Sequence, residues 1–150
     1  MTIEVDFNPE TKSSLDGIRV LDLSRLVSGN FLTHLLADHG AEVIKLEKPG
    51  VGDDLRNWKT KGYSVHWKVY CRNKKSITLD IRKDRGKSIF LDLVERSDVV
   101  IENFKPGTLE KWKIGPDILL KQNPKLVLVR ISGWGQRGLY AHKPGFGSLV

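Results

Sequence analysis

The sequence predicts an α/β fold: a Rossmann-like, three-layer domain with a mainly parallel sheet. Three observations predict it. Short apolar runs typical of buried strands alternate along the chain with segments whose apolar residues recur at helical spacing. The first strand, helix and strand fit within roughly thirty residues, the length of a parallel crossover. The 150 residues are 39% hydrophobic and 29% charged, which describes one globular domain with its own core.

The first strand, helix and second strand follow each other without a long connection. Residues 16–23 are an apolar-rich run that predicts a largely buried strand. Apolar side chains recur at helical spacing over residues 31–36, and Ser28 or Asn30 is the expected N-cap of that helix. Residues 41–47 return to strand composition before a proline and two glycines end the strand.

The same alternation continues along the rest of the chain. Residues 76–81 alternate apolar and polar side chains and predict the third strand, and residues 89–94 give a helix one apolar face. Residues 99–101 predict the fourth strand. One or two short helices are expected within residues 109–120, and residues 126–131 predict the fifth strand.

The expected organisation is an N-terminal tail at residues 1–14 and one domain at residues 15–150. Five glycines within residues 132–150 predict a mobile or tightly turning segment after the last strand. The final apolar run, residues 146–150, is typical of the first residues of a helix, yet no helix can follow it. We therefore expect the chain to be truncated.

Basic side chains are concentrated in the middle of the chain. Residues 56–87 carry 11 basic and 2 acidic side chains, a net charge of +9, against +7 for the whole chain. Such a region attracts phosphate groups of a nucleic acid, a membrane or a cofactor, although a solvated lysine-rich face has the same composition. A single cysteine, Cys71, excludes an internal disulfide and a C-x-x-C motif. Residues 1–14 lack the apolar core of a signal peptide, so we expect a cytoplasmic protein, with the mitochondrial matrix or peroxisome as alternatives in a eukaryote.

Ligands of open α/β sheets bind beyond the carboxyl ends of the strands, so the loops after the strands are the candidate sites. The loop after the first strand lacks the G-x-G-x-x-G pattern, which disfavours NAD binding. Asp53 and Asp54 follow the second strand, but adjacent carboxylates without a third ligand are more often turn residues or ion-pair partners than a metal site.

Three further features are ambiguous or uninformative on their own. The basic cluster at residues 72–75, with aromatic neighbours, suits a nucleobase with its phosphates or a solvated loop. An asparagine and a lysine within residues 102–107 would form a polar pocket edge after the fourth strand. The four histidines lack zinc-site spacing and are expected at the surface or at helix ends, and no side chain stands in a recognisable nucleophile setting.

Two long motifs identify a family. Residues 15–23 read LDGIRVLDL and residues 36–47 read LADHGAEVIKLE. Both closely resemble the N-terminus of the family III CoA-transferases, also called the carnitine-dehydratase and bile-acid-inducible family. The resemblance continues in order to the last residue, through segments 52–56, 73–77, 98–107, 123–124, 132–136 and 144–146. Two positions depart from it: Asn30 replaces a usual proline, and Gly147 stands where many of these transferases carry an aspartate.

The resemblance implies an enzyme that moves CoA from an acyl-CoA thioester to a carboxylic acid through an aspartyl-CoA intermediate. The nucleophilic aspartate is expected beyond Val150, so no catalytic residue is assigned within these 150 residues. The family also contains α-methylacyl-CoA racemases, but Phe146 stands where their proton-transfer histidine is expected, which disfavours that activity. The alternatives are a CoA-binding module without catalysis and a nucleic-acid binder with strongly salt-dependent affinity.

The resemblance also implies the partners and the binding residues. The expected partners are an acyl-CoA donor and a small carboxylic acid acceptor, with no metal, nucleic acid or membrane. The whole protein is expected to be an interlocked homodimer, so a separate 150-residue piece would be marginally stable. Lys48 and Lys111 replace common arginines, which keeps the charge and loses the bidentate geometry. The expected CoA contacts are Val27, Ser28, Lys48, Leu79, Asp80, Arg82, Asn103, Phe104, Lys105 and Lys111.

Overall fold

The computed structural model describes residues 11–146. The expectations for residues 1–10 of the tail and for residues 147–150, Gly147 among them, lie outside the described residues. Within the described range the strands and helices are β1 Arg19–Asp22, α1 Ser28–Asp38, β2 Glu42–Glu47, a 3₁₀ turn Asp54–Asn57, α2 Val65–Tyr70, β3 Lys74–Thr78, α3 Asp84–Glu95, β4 Val99–Glu102, α4 Thr108–Lys111, α5 Pro116–Gln122 and β5 Val127–Arg130.

The five strands form one parallel sheet in the order β3-β2-β1-β4-β5. Val20 of β1 lies at the centre, paired with Val43 of β2 on one side and Val99 of β4 on the other. The predicted α/β fold with a mainly parallel sheet is therefore confirmed. Because β2 and β4 flank β1 on opposite sides, the connections after β1 and β4 diverge and leave a crevice at the carboxyl edge of the sheet.

Helices cover both faces of the sheet. On one face, Ala37 of α1 packs with Val20, Val43 and Ile101 of the sheet. The larger cluster on the other face includes Leu21, Leu46 and Val100 of the sheet. Against them pack residues of helices α3, α4 and α5, namely Phe90, Val94, Leu109 and Leu119. Burial on both faces explains why the two central strands, β1 and β4, are rich in apolar residues.

The third strand differs from its predicted position. It spans Lys74–Thr78 rather than residues 76–81. Lys74 pairs with Val43 in the register of β2, so its side chain lies on the face covered by α1. A lysine at a buried strand position conceals the beginning of the strand, because the sequence pattern is read from apolar residues.

Three local predictions around α1 and α2 are wrong or incomplete. Val27 rather than Ser28 or Asn30 is the N-cap of α1, and no side chain caps the helix. Asn30 lies inside the helix and is fully buried. His34, expected at the surface or at a helix end, is 5% exposed within α1. The six-residue helix α2 was not predicted, because it has no buried residue and hence no apolar face to reveal it.

Candidate functional site

A cleft of about 240 Å³ opens at the carboxyl edge of the sheet, where the loops after β1, β2, β3 and β4 meet. Its apolar lining consists of Leu23, Leu46, Val51, Leu79, Ile81, Phe104 and Trp112, and its polar and charged lining includes Ser24, Arg25, Lys45, Glu47, Lys48, Asp53, Asp54, Asp80 and Arg82. An apolar slot with cations around it suits a ligand that joins a flat ring to phosphate groups. The position agrees with the general rule for ligands of open α/β sheets.

An aromatic pair forms the wall of the cleft next to β4. The rings of Phe104 and Trp112 meet at 68° with their centroids 5.1 Å apart. The Phe104 amide donates to Glu102 Oε2 at 2.6 Å, and Arg130 Nε donates to Glu102 Oε1 at 2.7 Å. Arg130 also holds Glu110, at 2.7 Å, beside the Trp112 end of α4. Burial raises the pKa of Glu102 above its ordinary value, since these two bonds only partly offset the loss of hydration.

The cations at the mouth of the cleft differ in how they are paired. Arg82 donates from Nε to Asp80 at 2.8 Å, and the Arg82 hydrogen bond holds the pKa of Asp80 at about 2. Arg25 lies 3.7 Å from an Asp54 oxygen, and both side chains are about half exposed. Between residues 11 and 146 no carboxylate oxygen lies within 4.0 Å of Lys48 Nζ. Lys48 therefore has a charge available for an anionic ligand.

The loop after β2 is held by a buried carboxylate at the end of that strand. Arg56 donates twice to Glu47, from Nε and a terminal nitrogen, each at 2.7 Å. The Ser76 hydroxyl and the Asp53 amide also donate to Glu47. Burial alone would raise the pKa of Glu47, but these donors lower it to about 2. The Arg56 guanidinium stacks 3.7 Å from the centre of the Trp67 ring, which ties α2 to the loop.

Beneath the cleft lies a buried charge cluster, which we define as Asp22, Lys45, Asp53 and Lys74. Lys45 Nζ lies 3.0 Å from Asp53 and 3.7 Å from Asp22, while Lys74 Nζ lies 3.2 Å from Asp22. No side chain of the cluster is more than 1% exposed. Two cations and two carboxylates balance one another, as buried charges require.

The charge cluster tests what the sequence predicted for Asp53 and for the basic segment that contains Lys74. Asp53 is an ion-pair partner of Lys45 and caps the 3₁₀ turn, where it accepts from the Leu55 amide at 2.9 Å, so the preferred interpretation is confirmed for this residue. Lys74 does not belong to a solvated basic loop, since β3 places its ammonium inside the protein. Over the described range, no group of three or more potential metal-ligating side chains occurs.

The structure gathers half of the ten expected contact residues into the cleft. Those that line it are Lys48, Leu79, Asp80, Arg82 and Phe104. Val27, Ser28 and Asn103 do not line the cleft. Val27 and Ser28 lie at the start of α1, and Asn103 Nδ2 donates to Ser28 Oγ at 3.2 Å. Lys105 and Lys111 are exposed on the β4 side and do not line the cleft. Contact with CoA stays a prediction for all ten.

Arg25 and Trp112 are among the cleft residues that the sequence interpretation did not propose as ligand contacts. Arg25 lies in the loop after β1, which was named as a candidate site, but without the structure nothing distinguished its side chain from its neighbours. Trp112 was predicted only as part of one of the short helices within residues 109–120, and the structure places it at the end of α4 against Phe104. An aromatic residue at the end of a short helix gives no sequence signal that separates a pocket wall from a core contact.

The model of CoA-transferase family III matches residues 15–150. The chain belongs to this family. It is 50% identical over 138 residues to a succinyl-CoA–D-citramalate CoA-transferase of Chloroflexus aurantiacus, covering 90% of this chain and 34% of that protein. It is 38% identical over 141 residues to an acetyl-CoA:oxalate CoA-transferase of Acetobacter aceti, covering 93% of this chain and 36% of that one. The chain thus spans about a third of the length of these relatives.

Solved structures agree with the family assignment. The hypothetical protein Rv3272 of Mycobacterium tuberculosis superposes with a TM-score of 0.84 at 40% identity, covering 89% of this chain and 38% of that one. A CAIB/BAIF family protein of Brucella suis gives the same TM-score at 38% identity, covering 91% of this chain and 38% of that one. Both share the fold of this chain, and the Brucella suis protein, named for the CAIB/BAIF family, confirms the resemblance inferred from the motifs. Among the helices of residues 11–146, none has the length and apolar character needed to cross a membrane.

Proposed function

We propose that this chain is the CoA-binding part of an enzyme that transfers CoA from an acyl-CoA thioester to a carboxylic acid. One observation carries the proposal: the cleft at the carboxyl edge is lined by the apolar side chains of Leu79 and Phe104 and also by Lys48, a cation without a carboxylate partner in the described residues. The names of the family relatives, which are CoA-transferases for several acids, support the same reaction class.

The chemistry of CoA fits the two kinds of surface in the cleft. Its adenine ring is flat and has apolar faces, which suits Leu79 and the aromatic pair of Phe104 and Trp112. Its pyrophosphate and 3′-phosphate need cations, which Lys48 and Arg25 supply at the mouth. The exposed lysines of the β4 side add positive charge that would attract the ligand before it binds.

The catalytic step is proposed to use an aspartate beyond Val150. Its carboxylate attacks the thioester carbonyl and expels CoA thiolate, which leaves a mixed anhydride. The thiolate then attacks the aspartyl carbonyl, so the donor acid leaves and an aspartyl-CoA thioester forms. The acceptor carboxylate next attacks the aspartyl-CoA thioester and expels CoA thiolate, which gives a second mixed anhydride. The thiolate attacks the acceptor's carbonyl in this anhydride, so that a new acyl-CoA and the free aspartate result without net oxidation or proton transfer.

The proposal includes the remaining expectations for the whole protein. The acceptor is a small carboxylic acid, the assembly is an interlocked homodimer, the protein is cytoplasmic, and no metal takes part. The domain that binds CoA begins near residue 15, after a short tail. The relatives' names support the donor and acceptor classes.

The test is CoA binding by the complete natural protein, measured by calorimetry for the unaltered form and for Lys48→Glu. We expect Lys48→Glu to weaken CoA binding about tenfold or more, because it replaces a charge-assisted contact with repulsion. Lys125→Glu is the matched control, since Lys125 precedes β5 at the opposite edge of the sheet. Unaltered protein that binds an oligonucleotide but not CoA, or a Lys48→Glu variant with unchanged affinity, would overturn the proposal.

A further inference from the structure

The loop after β1 is held by side chains at every backbone polar group of two successive residues. The Arg25 amide donates to Asn103 Oδ1 at 2.8 Å, and the Arg25 carbonyl accepts from Asn103 Nδ2 at 2.7 Å. The Leu26 amide donates to Asp53 Oδ1 at 3.0 Å, and the Leu26 carbonyl accepts from Asn30 Nδ2. Three elements other than the loop itself therefore fix its backbone: α1, the segment after β2 and the segment after β4.

Leu26 has the backbone conformation that most needs such support. Its φ of 59° lies in the left-handed region, which is unfavourable for a residue with a Cβ. Glycine or asparagine would adopt it more readily, yet the sequence has leucine there. The hydrogen bonds at both polar groups of Leu26 offset this cost and select the conformation.

Asp53 is the junction through which the support acts. One carboxylate oxygen accepts from the Leu26 and Leu55 amides, and the other receives Asn30 Nδ2 at 2.8 Å and Lys45 Nζ at 3.0 Å. Burial would raise the pKa of Asp53, but the Lys45 ammonium and these donors hold it below its ordinary value. The segment after β2 thus determines the shape of the loop after β1, and both line the cleft.

We propose that Asp53 and Asn30 are positioning residues for CoA, acting through the left-handed turn at Leu26. The inference rests on the proposed function and adds to it. The turn directs Arg25 to the cleft and Val27 and Ser28 to the start of α1, so the cleft is shaped before the ligand arrives. Asp53 and Asn30 lie beneath this surface, with the Asp53 side chain 1% exposed.

The decisive experiment compares two variants of one residue in the complete natural protein: Leu26→Asn and Leu26→Ile. Asparagine resembles leucine in shape and tolerates the left-handed region, whereas isoleucine keeps the volume and hydrophobicity but is β-branched and disfavours it. We expect Leu26→Ile to bind CoA about tenfold more weakly than Leu26→Asn, and to raise KM for acyl-CoA more than it lowers kcat. A packing role for the side chain predicts the opposite order, and either that order or equal affinities would overturn the proposal.

A second experiment tests Asp53 itself. In Asp53→Asn, one of the two carboxylate oxygens is replaced by an NH₂ group, which then faces other donors: either the Leu26 and Leu55 amides or the Asn30 and Lys45 side chains. The turn at Leu26 loses support in both orientations, so we expect CoA binding to weaken about tenfold. Adding Leu26→Gly should recover part of that affinity, because glycine adopts the turn without support. Asp92→Asn, an exposed change on α3, is the matched control.

The outcomes separate this inference from the proposed function. If the unaltered protein does not bind CoA, the proposed function is wrong. If the unaltered protein binds CoA but the double variant Asp53→Asn, Leu26→Gly recovers no affinity relative to Asp53→Asn, the positioning role of Asp53 is wrong. If Asp53→Asn does not fold, the comparison at Leu26 decides the question, since Leu26 belongs to neither core cluster.

Discussion

Two buried glutamates at the carboxyl edge of the sheet have opposite electrostatic behaviour. Glu47 ends β2 and Glu102 ends β4, and their side chains are 2% and 1% exposed. Each accepts a hydrogen bond of 2.7 Å from an arginine. The pKa of Glu47 nevertheless lies at about 2, whereas that of Glu102 lies above its ordinary value.

Burial raises the pKa of both carboxyls, and the two sites differ in how many donors oppose it. Glu47 accepts four hydrogen bonds within the described residues, two of them from one guanidinium. Glu102 accepts two there, and its partner Arg130 is shared with Glu110, whose charge adds repulsion. The β2 side of the cleft is therefore a fixed electrostatic frame, while the β4 side depends more on its aromatic pair.

The largest expected effect lies in the charge cluster beside Glu47. Lys45→Met leaves Asp53 without its ammonium partner in a site where the side chains are at most 1% exposed. We expect it to lower the free energy of unfolding by about 3–5 kcal/mol, measured by urea denaturation of the complete protein. Lys75→Met, on an exposed pair with Glu42, is the control and should cost less than about 1 kcal/mol. A small loss for Lys45→Met would show that the β2 side is not a fixed frame.

The comparison itself is tested by removing each glutamate charge in turn. Glu47→Gln should cost about 2–3 kcal/mol, because it breaks a bidentate, charge-assisted contact with Arg56. Glu102→Gln should cost less than about 1 kcal/mol, because losing the charge also removes its dehydration penalty. Both values come from the same urea experiment at pH 7. Equal losses would mean that burial, and not donor number, sets the strength of the two sites.

Acid unfolding gives a separate test of the Glu47 carboxylate. Its pKa falls from an ordinary 4.5 to about 2 on folding, so the unfolded chain takes up this proton first as the pH decreases. The stabilisation is complete above pH 4.5 and is lost between pH 4.5 and 2. We expect Glu47 to contribute about 2 kcal/mol to the free energy of unfolding above pH 4.5. This value allows for screening by solvent, because the Arg56 side chain is 42% exposed. Denaturation of unaltered and Glu47→Gln protein across this range should converge at low pH; parallel curves would contradict the assignment.

The fold could be predicted because its determinants are local and apolar. The strands at residues 16–23, 41–47 and 99–101 could be predicted from their short apolar-rich runs. The helices of the core could be predicted from apolar residues that recur at helical spacing. Their parallel order followed from strand–helix alternation, since a crossover helix joins parallel neighbours. The motifs at residues 15–23 and 36–47 were long enough to identify the family.

The site was harder to predict because its determinants are polar and distant in sequence. Lys74 contacts Asp22 across 52 positions, and Asn103 contacts Arg25 across 78. No local pattern marks a lysine that will be neutralised by such a partner, so Lys74 was predicted only as part of a basic cluster that suits either a phosphate-binding site or a solvated loop. The left-handed turn at Leu26 was equally hidden, because the usual glycine or asparagine is absent.

Whether the cleft binds CoA can be decided by a crystal structure of the complete natural protein with bound CoA. We predict that CoA occupies the cleft, with its adenine ring against Leu79 and Phe104 and a phosphate oxygen within hydrogen-bond distance of Lys48 Nζ. The backbone of Arg25 and Leu26 should keep the left-handed turn seen here. CoA bound elsewhere on the chain, with this cleft empty at saturating ligand, would show that the cleft is not the CoA site.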